Sequence, residues 1–145
     1  MRAFATLLLV AGCSSPVTSY TLAFTGNVTD AQANLATDAA HEWQTRVPGL
    51  SFRFERREFD IAAQDTIWIY GADVAPDLAR TAWGDGVATM RVGTWTRDTL
   101  AHELGHAMGL QHSRCGVMQA RVNPYRDDGV QACDGVQLRA SWGEP

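Results

Sequence analysis

The chain has 145 residues, of which 46% are hydrophobic and 19% charged, the length and composition of one ordinary globular domain. Its formal net charge is −4 and no segment is strongly basic, so nucleic acid is not an expected partner. No internal repeat or long low-complexity run divides the sequence. We therefore predict a single domain over 20–145 that is a monomer.

The first 19 residues have the pattern of an export signal followed by a tether. Arg2 precedes an apolar run over 3–11, which is much shorter than the roughly 20 residues needed to span a bilayer and is typical of a signal peptide. The V-A-G-C sequence ending at Cys13 resembles the lipobox of bacterial lipoproteins. We predict a signal peptide over 1–12, lipidation of Cys13 and a Ser/Pro-rich tether over 13–19. The protein is then exported to the bacterial cell envelope (outer membrane, periplasm or surface), with the lipid as its one membrane attachment. The alternative is an ordinary secretory signal or a mis-assigned start.

Hydrophobic periodicity predicts a strand-rich first half with one helix. Strands are predicted over 19–24, 50–55, 66–70, 80–83 and 87–92. Between the first two strands, Thr29 or Asp30 can cap a helix that runs to about Thr45. Its apolar stripe has near-helical spacing: Leu35, Ala36, Ala39, Ala40 and Trp43.

The second half predicts two more helices. The first is capped by Thr94 or Thr96 and ends near Gly109. After a loop over 119–132, Asp134 is expected to cap a last helix that ends at about Trp142. The predicted buried side of that helix is Val136, Leu138 and Trp142.

The eleven residues from His102 to His112 carry the chemistry, and they read H-E-x-x-H-x-x-G-x-x-H. His102 and His106 stand four apart, which on a helix leaves about 5–6 Å between Cβ atoms, close enough to share one ion. Gly109 tolerates a positive φ, so the chain can turn there and bring His112 back as a third ligand. Three protein ligands leave a fourth position open to water, as a catalytic zinc ion requires.

Glu103 supplies the second part of the predicted chemistry. It can reach a water bound to the metal without being a ligand, and it can take the proton of that water as the water attacks a carbonyl. A structural zinc site would instead need a fourth protein ligand. We therefore predict one catalytic Zn²⁺, with Glu103 as general base. The remaining histidine, His41, is expected to be an ordinary surface or core residue.

The cysteines depend on the export prediction. If Cys13 carries lipid, Cys115 and Cys133 remain in an oxidising compartment and can pair. The alternative is two free buried thiols.

The histidine motif resembles the signature of the metzincin zinc metalloproteases, and the longer match through Ser113 is most similar to the matrixin branch, with its small bacterial members. The resemblance implies an α+β, zincin-like catalytic domain over 20–145. Such a domain has a small, twisted, mostly parallel sheet, an N-terminal helix, an active-site helix and a C-terminal helix. The resemblance also implies that Met118 forms a methionine turn beneath the metal and packs there without binding zinc.

The chain departs from the family pattern at several positions. The stretch from His112 to Met118 is shorter than in typical matrix metalloproteinases, and Ala120 stands where some metzincins place a tyrosine ligand. The loop that holds a second zinc in animal matrixins has no counterpart. Calcium could bind at Asp73, Asp77 and Asp85, but isolated loop aspartates are typically turn formers.

The resemblance also implies where substrate lies. Thr81, Ala82 and Trp83 would belong to a sheet edge above the cleft, where an extended peptide adds as a further strand. The loop around Tyr125 would line the pocket that binds the substrate side chain immediately after the scissile bond. For Trp83, simple core packing is the alternative.

These features together predict a zinc-dependent endopeptidase that hydrolyses peptide bonds in proteins or peptides. Two alternatives stay open at this point. One is a zinc-binding surface lipoprotein without catalysis, and the other is a zinc amidase that acts on cell-wall peptides.

Overall fold

The computed structural model describes residues 18–60, 65–74, 77–84, 87–120 and 129–143. The predicted signal peptide, Cys13, Asp85 and Tyr125 lie outside these ranges. Within them the elements follow the predicted order: β1 (Thr18–Phe24), α1 (Asp30–Arg46), β2 (Leu50–Arg56), β3 (Thr66–Gly71), β4 (Ala79–Gly84), β5 (Val87–Val92), α2 (Arg97–Ala107), a 3₁₀ turn (Gly116–Met118) and α3 (Ala132–Ser141). None of the helices in these ranges is long and apolar enough to cross a membrane.

The five strands form one sheet in the order β2-β1-β3-β5-β4. Strand β1 pairs in parallel with β2 and β3, and β3 pairs in parallel with β5. Strand β4 is antiparallel to β5 and lies at the edge of the sheet. The predicted α+β class with a mostly parallel sheet is confirmed, and no strand of the described residues pairs with the second side of β4.

Helix α1 packs on the sheet through the predicted apolar stripe. Thr29 caps it by accepting a hydrogen bond from the Gln32 amide at 3.3 Å. The buried members of the stripe are Ala36, Ala39, Ala40 and Trp43, whereas Leu35 is only partly buried. The Trp43 indole Nε1 donates to the Ala101 carbonyl at 2.9 Å, and this buried bond fixes α1 against α2.

The starts of β1 and α3 differ from the prediction. Strand β1 begins at Thr18, whose amide donates to the Gly49 carbonyl at 3.1 Å, so the last two residues of the predicted tether belong to the sheet. Helix α3 begins at Ala132 with Gln131 as its N-cap, and Asp134 is its third residue instead of its cap.

The buried face of α3 also differs from the prediction. Val136 is 56% exposed, whereas Leu138 is fully buried and Trp142 is partly buried. The face that packs inward contains Asp134 and Gly135. A Cβ at Gly135 would lie 2.9 Å from the Arg46 carbonyl oxygen, so only glycine lets α3 approach the end of α1 this closely. The hydrophobic pattern predicted Leu138 on this face but missed Asp134 and Gly135, because a carboxylate and a glycine are not hydrophobic side chains.

Candidate metal centre

Helix α2 carries the first half of the motif into the interior. Thr96 caps it by accepting from the Thr99 amide at 3.2 Å. Because the helix lies between the sheet, α1 and the turn after it, most of its side chains are buried, and His102 and Glu103 are only 5% and 7% exposed. Polar groups buried to this degree need specific partners, which the neighbouring elements provide.

The turn after α2 returns the chain to the helix. Gly109 has φ of +98°, a left-handed conformation that glycine adopts without strain, and the Leu110 amide donates back to the Gly105 carbonyl at 2.9 Å. His112 then faces α2. The Nε2 atom of His106 lies 3.1 Å from Nε2 of His102 and 3.1 Å from Nε2 of His112. For Zn–N bonds of about 2.0–2.1 Å in a tetrahedron, two ligand nitrogens stand about 3.4 Å apart, close to this spacing.

Hydrogen bonds on the far side of the rings fix the tautomers. Nδ1 of His102 lies 2.7 Å from the Val117 carbonyl, and Nδ1 of His106 lies 2.8 Å from the Leu110 carbonyl. A carbonyl only accepts, so each Nδ1 carries the proton and each Nε2 presents a lone pair in the neutral ring. Lone pairs that converge at this distance repel one another unless a cation lies between them. The triad therefore fits a metal ion.

The environment keeps the most buried ring neutral. Desolvation by burial lowers the pKa of His102 to about 4; the Val117 hydrogen bond raises it, and the neighbouring imidazoles of His106 and His112 lower it further. At neutral pH the ring is thus unprotonated, which is the form that binds a metal. Within the described ranges, this triad is the one group of three or more His, Cys, Asp or Glu side chains that could hold an ion. Of the aspartates considered for calcium, Asp77 is paired with Arg80 at 2.6 Å.

Met118 lies in the 3₁₀ turn. It is fully buried, and its thioether packs against α2 at Gly105, where there is no room for a Cβ. The neighbouring carbonyl, that of Val117, is the acceptor for His102. Met118 therefore supports the centre by packing, and the turn that carries it orients a triad ring.

A buried carboxylate holds this turn. Asp134, at the start of α3, is fully buried and accepts from the amides of Val117 at 3.0 Å, Met118 at 3.3 Å and Gln131 at 2.8 Å. Gly116, the first residue of the turn, has φ of +64°, and a side chain there would collide with the Asp134 carboxylate. Sequence reasoning placed Asp134 at the right helix end but gave it no role at the metal centre.

A disulfide ties the same two segments together. It joins Cys115, which precedes the turn, to Cys133, which precedes Asp134, with 6.4 Å between the Cα atoms. Closing a loop of 18 residues contributes about 3 kcal/mol to the free energy of unfolding by restricting the unfolded chain. The covalent link and the Asp134 hydrogen bonds therefore both tie the turn to the first residues of α3.

Glu103 faces the cleft between α2 and β4. This cleft has a volume of about 570 Å³, and the three histidines, Glu103 and Thr81 line it. The Thr81 hydroxyl donates to Oε2 of Glu103 at 2.6 Å and lies 3.1 Å from the Glu103 backbone carbonyl oxygen. The carboxylate thus stands beside the triad without belonging to it.

The residues predicted to bind substrate lie where the edge strand packs against α2. Thr81, Ala82 and Trp83 are all in β4, at the open edge of the sheet. Trp83 is 55% exposed, and its Nε1 donates to the His106 carbonyl at 3.2 Å, so the core-packing alternative is wrong. The contact between Thr81 and Glu103 was not predicted. The two residues are 22 positions apart, and no local sequence pattern links one to the other.

Gly105 lies at a tightly packed position of α2 that the sequence did not single out. In an open helix interior, replacing glycine with alanine stabilises by about 1 kcal/mol. Here the new methyl group would meet Met118 and the Trp43 ring, both fully buried. We expect Gly105→Ala to lower the free energy of unfolding by about 1–3 kcal/mol in a denaturant titration. Gly26→Ala, at a site with no heavy atom within 4 Å of the new Cβ, is the matched control. A stabilised Gly105→Ala protein would show that Met118 is loosely packed.

The comparison with known proteins rests on solved structures. No protein-family model matches the chain, and no curated protein matches it significantly. Among solved structures it is similar to high choriolytic enzyme 1 (HCE-1), a hatching enzyme zinc-protease from Oryzias latipes (medaka fish), with a TM-score of 0.63 and 12% identity over 91% of this chain and 92% of that one. The chain has a metzincin-like fold.

A second solved structure is more distant. It is described as the structure of a chaperone–substrate complex, and it matches with a TM-score of 0.50 and 10% identity over 86% of this chain and 34% of that one. The chain thus spans about a third of that protein. At such identities each likeness concerns the fold alone, and the finer similarity to small bacterial matrixins stays a prediction.

Proposed function

We propose that the protein is a zinc-dependent endopeptidase. The observation that carries this proposal is the convergence of the triad's Nε2 atoms beside the Glu103 carboxylate in an open cleft. The fold shared with a hatching-enzyme zinc-protease supports it. A site built only to hold zinc would need a fourth protein ligand and no adjacent free carboxylate.

The chemistry divides between the metal and the chain. Zinc held by His102, His106 and His112 would polarise the scissile carbonyl and lower the pKa of a water molecule. Glu103 accepts the proton of the attacking water and then donates it to the nitrogen of the leaving amine. The low exposure of Glu103 strengthens its interactions with the reacting groups, because buried charges are screened less by solvent.

The shape of the cleft favours an extended peptide as substrate. Strand β4 pairs with β5 on one side, and its other side borders the cleft. A peptide that adds to this edge is bound through main-chain hydrogen bonds, which are independent of its sequence. The scissile bond of such a peptide would pass over the triad and Glu103.

The proposal is tested by cleavage of fluorescein-labelled casein. We expect the purified protein to release fluorescent fragments, to lose this activity with 1,10-phenanthroline and to regain it when zinc is added, because the triad needs a metal. His106→Ala should be inactive, whereas His41→Ala, which changes an exposed histidine outside the triad, should remain active.

Zinc binding without cleavage of casein would contradict the endopeptidase and favour one of the two alternatives. Of these, the amidase would release products from purified cell-wall peptides, and the surface lipoprotein would not.

A further inference from the structure

Strand β4 is fastened to α2 by side chains at alternate positions. Ala79 is buried, the Thr81 hydroxyl bonds to Glu103, and the Trp83 indole bonds to the His106 carbonyl. The intervening residues, Arg80 and Ala82, are exposed. This alternation is the normal consequence of a pleated strand, and it aims Thr81 into the cleft at the carboxylate.

The Thr81 hydroxyl forms a hydrogen bond with one of the two oxygens of the Glu103 carboxylate. It donates to Oε2 of Glu103 at 2.6 Å, a short bond of the kind made to a charged acceptor. The other oxygen, Oε1, does not take part in this bond and is left to accept a proton. A glutamate side chain has three rotatable bonds, and a bond to one oxygen fixes the direction in which the other points.

We propose that Thr81 is a positioning residue, which holds Glu103 so that Oε1 faces the attacking water. This inference rests on the proposed function, since it assigns a role within the same site. The strand that would bind the peptide through its backbone therefore also orients the base through a side chain. Substrate and base are aligned by one element, which keeps the reacting atoms in the required geometry.

The test compares Thr81→Val, which keeps the β-branched shape and removes the hydroxyl, with Thr81→Ser, which keeps the hydroxyl. For fluorescein-labelled casein we expect Thr81→Val to lower kcat about 10- to 100-fold with little change in KM, as a misoriented base would. Thr81→Ser should recover kcat to within about threefold of wild type. If Thr81→Val fails to fold, Thr81→Ala replaces it. The comparison of Thr81→Ala with Thr81→Ser again sets a variant without the hydroxyl against one that has it.

The matched control is Thr89→Val in β5. The Thr89 hydroxyl donates to the Ala82 carbonyl at 3.3 Å, so this change also removes a hydroxyl that contacts β4, but one that does not reach Glu103. Thr89→Val should retain kcat. The proposal is overturned if Thr81→Val keeps the wild-type kcat or changes only KM. It is also overturned if Thr89→Val lowers kcat as much as Thr81→Val does, or if kcat of Thr81→Ser is no higher than that of Thr81→Val.

A measurement that needs no cleavage separates this proposal from the function itself. In zinc-free protein with ¹³C-labelled glutamate, the side-chain signal of Glu103, assigned as the one missing from Glu103→Gln, should have a high order parameter. The order parameter should fall in Thr81→Val and be restored in Thr81→Ser. If the wild type does not cut casein but these NMR results hold, the endopeptidase proposal fails, and the finding that Thr81 fixes the orientation of the Glu103 carboxylate stands without it. An unchanged Glu103 signal in Thr81→Val overturns the positioning role.

Discussion

Glu103→Gln is expected to lower kcat/KM for casein by about 10²–10⁴-fold and to leave zinc bound, because the amide cannot accept a proton and the residue is not a ligand. The change conserves volume, and the Thr81 hydroxyl can still donate to the amide oxygen. The variant should therefore fold normally. Fragment release and metal content by mass spectrometry, measured on the same preparation, check both parts of the expectation.

Glu58→Gln is the matched control for this change. Glu58 is exposed and lies outside the cleft, so the same chemical substitution should leave cleavage unchanged. Glu103→Ala should be as inactive as Glu103→Gln and should also retain zinc. If Glu103→Gln cleaved casein as fast as the wild type, Glu103 would not be the general base. If it lost zinc in proportion to activity, Glu103 would belong to the metal site.

Local patterns explain why much of the fold followed from the sequence. The strands were predicted from runs of alternating or β-branched residues, and the stripe of α1 from near-helical spacing, both of which depend only on neighbours a few positions away. The ligand geometry is also local: His102 and His106 share a helix face, and Gly109 turns the chain before His112. The sequence could therefore indicate the metal centre, and the resemblance carried by its motif implied the metzincin-like fold around it.

The supports of the centre depend on contacts that no local pattern encodes. Asp134 bonds to the Val117 amide across 17 positions, and Thr81 bonds to Glu103 across 22. A carboxylate near the start of a helix is an ordinary capping signal, so its use for a distant turn could not be distinguished from capping. The same buried carboxylate explains why Val136 was wrongly predicted to be buried. Helix α3 packs with Asp134 facing inward, and this orientation exposes the valine.

Asp134→Ala is expected to lower the free energy of unfolding by about 3–5 kcal/mol, the largest loss we expect from a residue outside the cleft. The substitution leaves the amides of Val117 and Met118, two buried residues, without their acceptor. Each unsatisfied buried donor costs about 1–3 kcal/mol, and the missing side chain adds a small cavity beside Gly116. Asp134→Asn keeps the volume and one acceptor oxygen, so it should lie between Asp134→Ala and the wild type in denaturant titrations.

The consequence for the metal distinguishes this prediction from a general loss of stability. Once the turn relaxes, the Val117 carbonyl no longer holds Nδ1 of His102, and loss of such an outer hydrogen bond weakens zinc binding about 10- to 100-fold. Competition with a chromophoric chelator, under conditions where the variant is folded, measures this effect. Asp38→Ala, at an exposed position of α1, should change neither stability nor zinc affinity. A folded Asp134→Ala protein with wild-type zinc affinity would mean that the disulfide between Cys115 and Cys133 suffices to keep the turn in place. The carboxylate would then stabilise the fold without orienting the ligand.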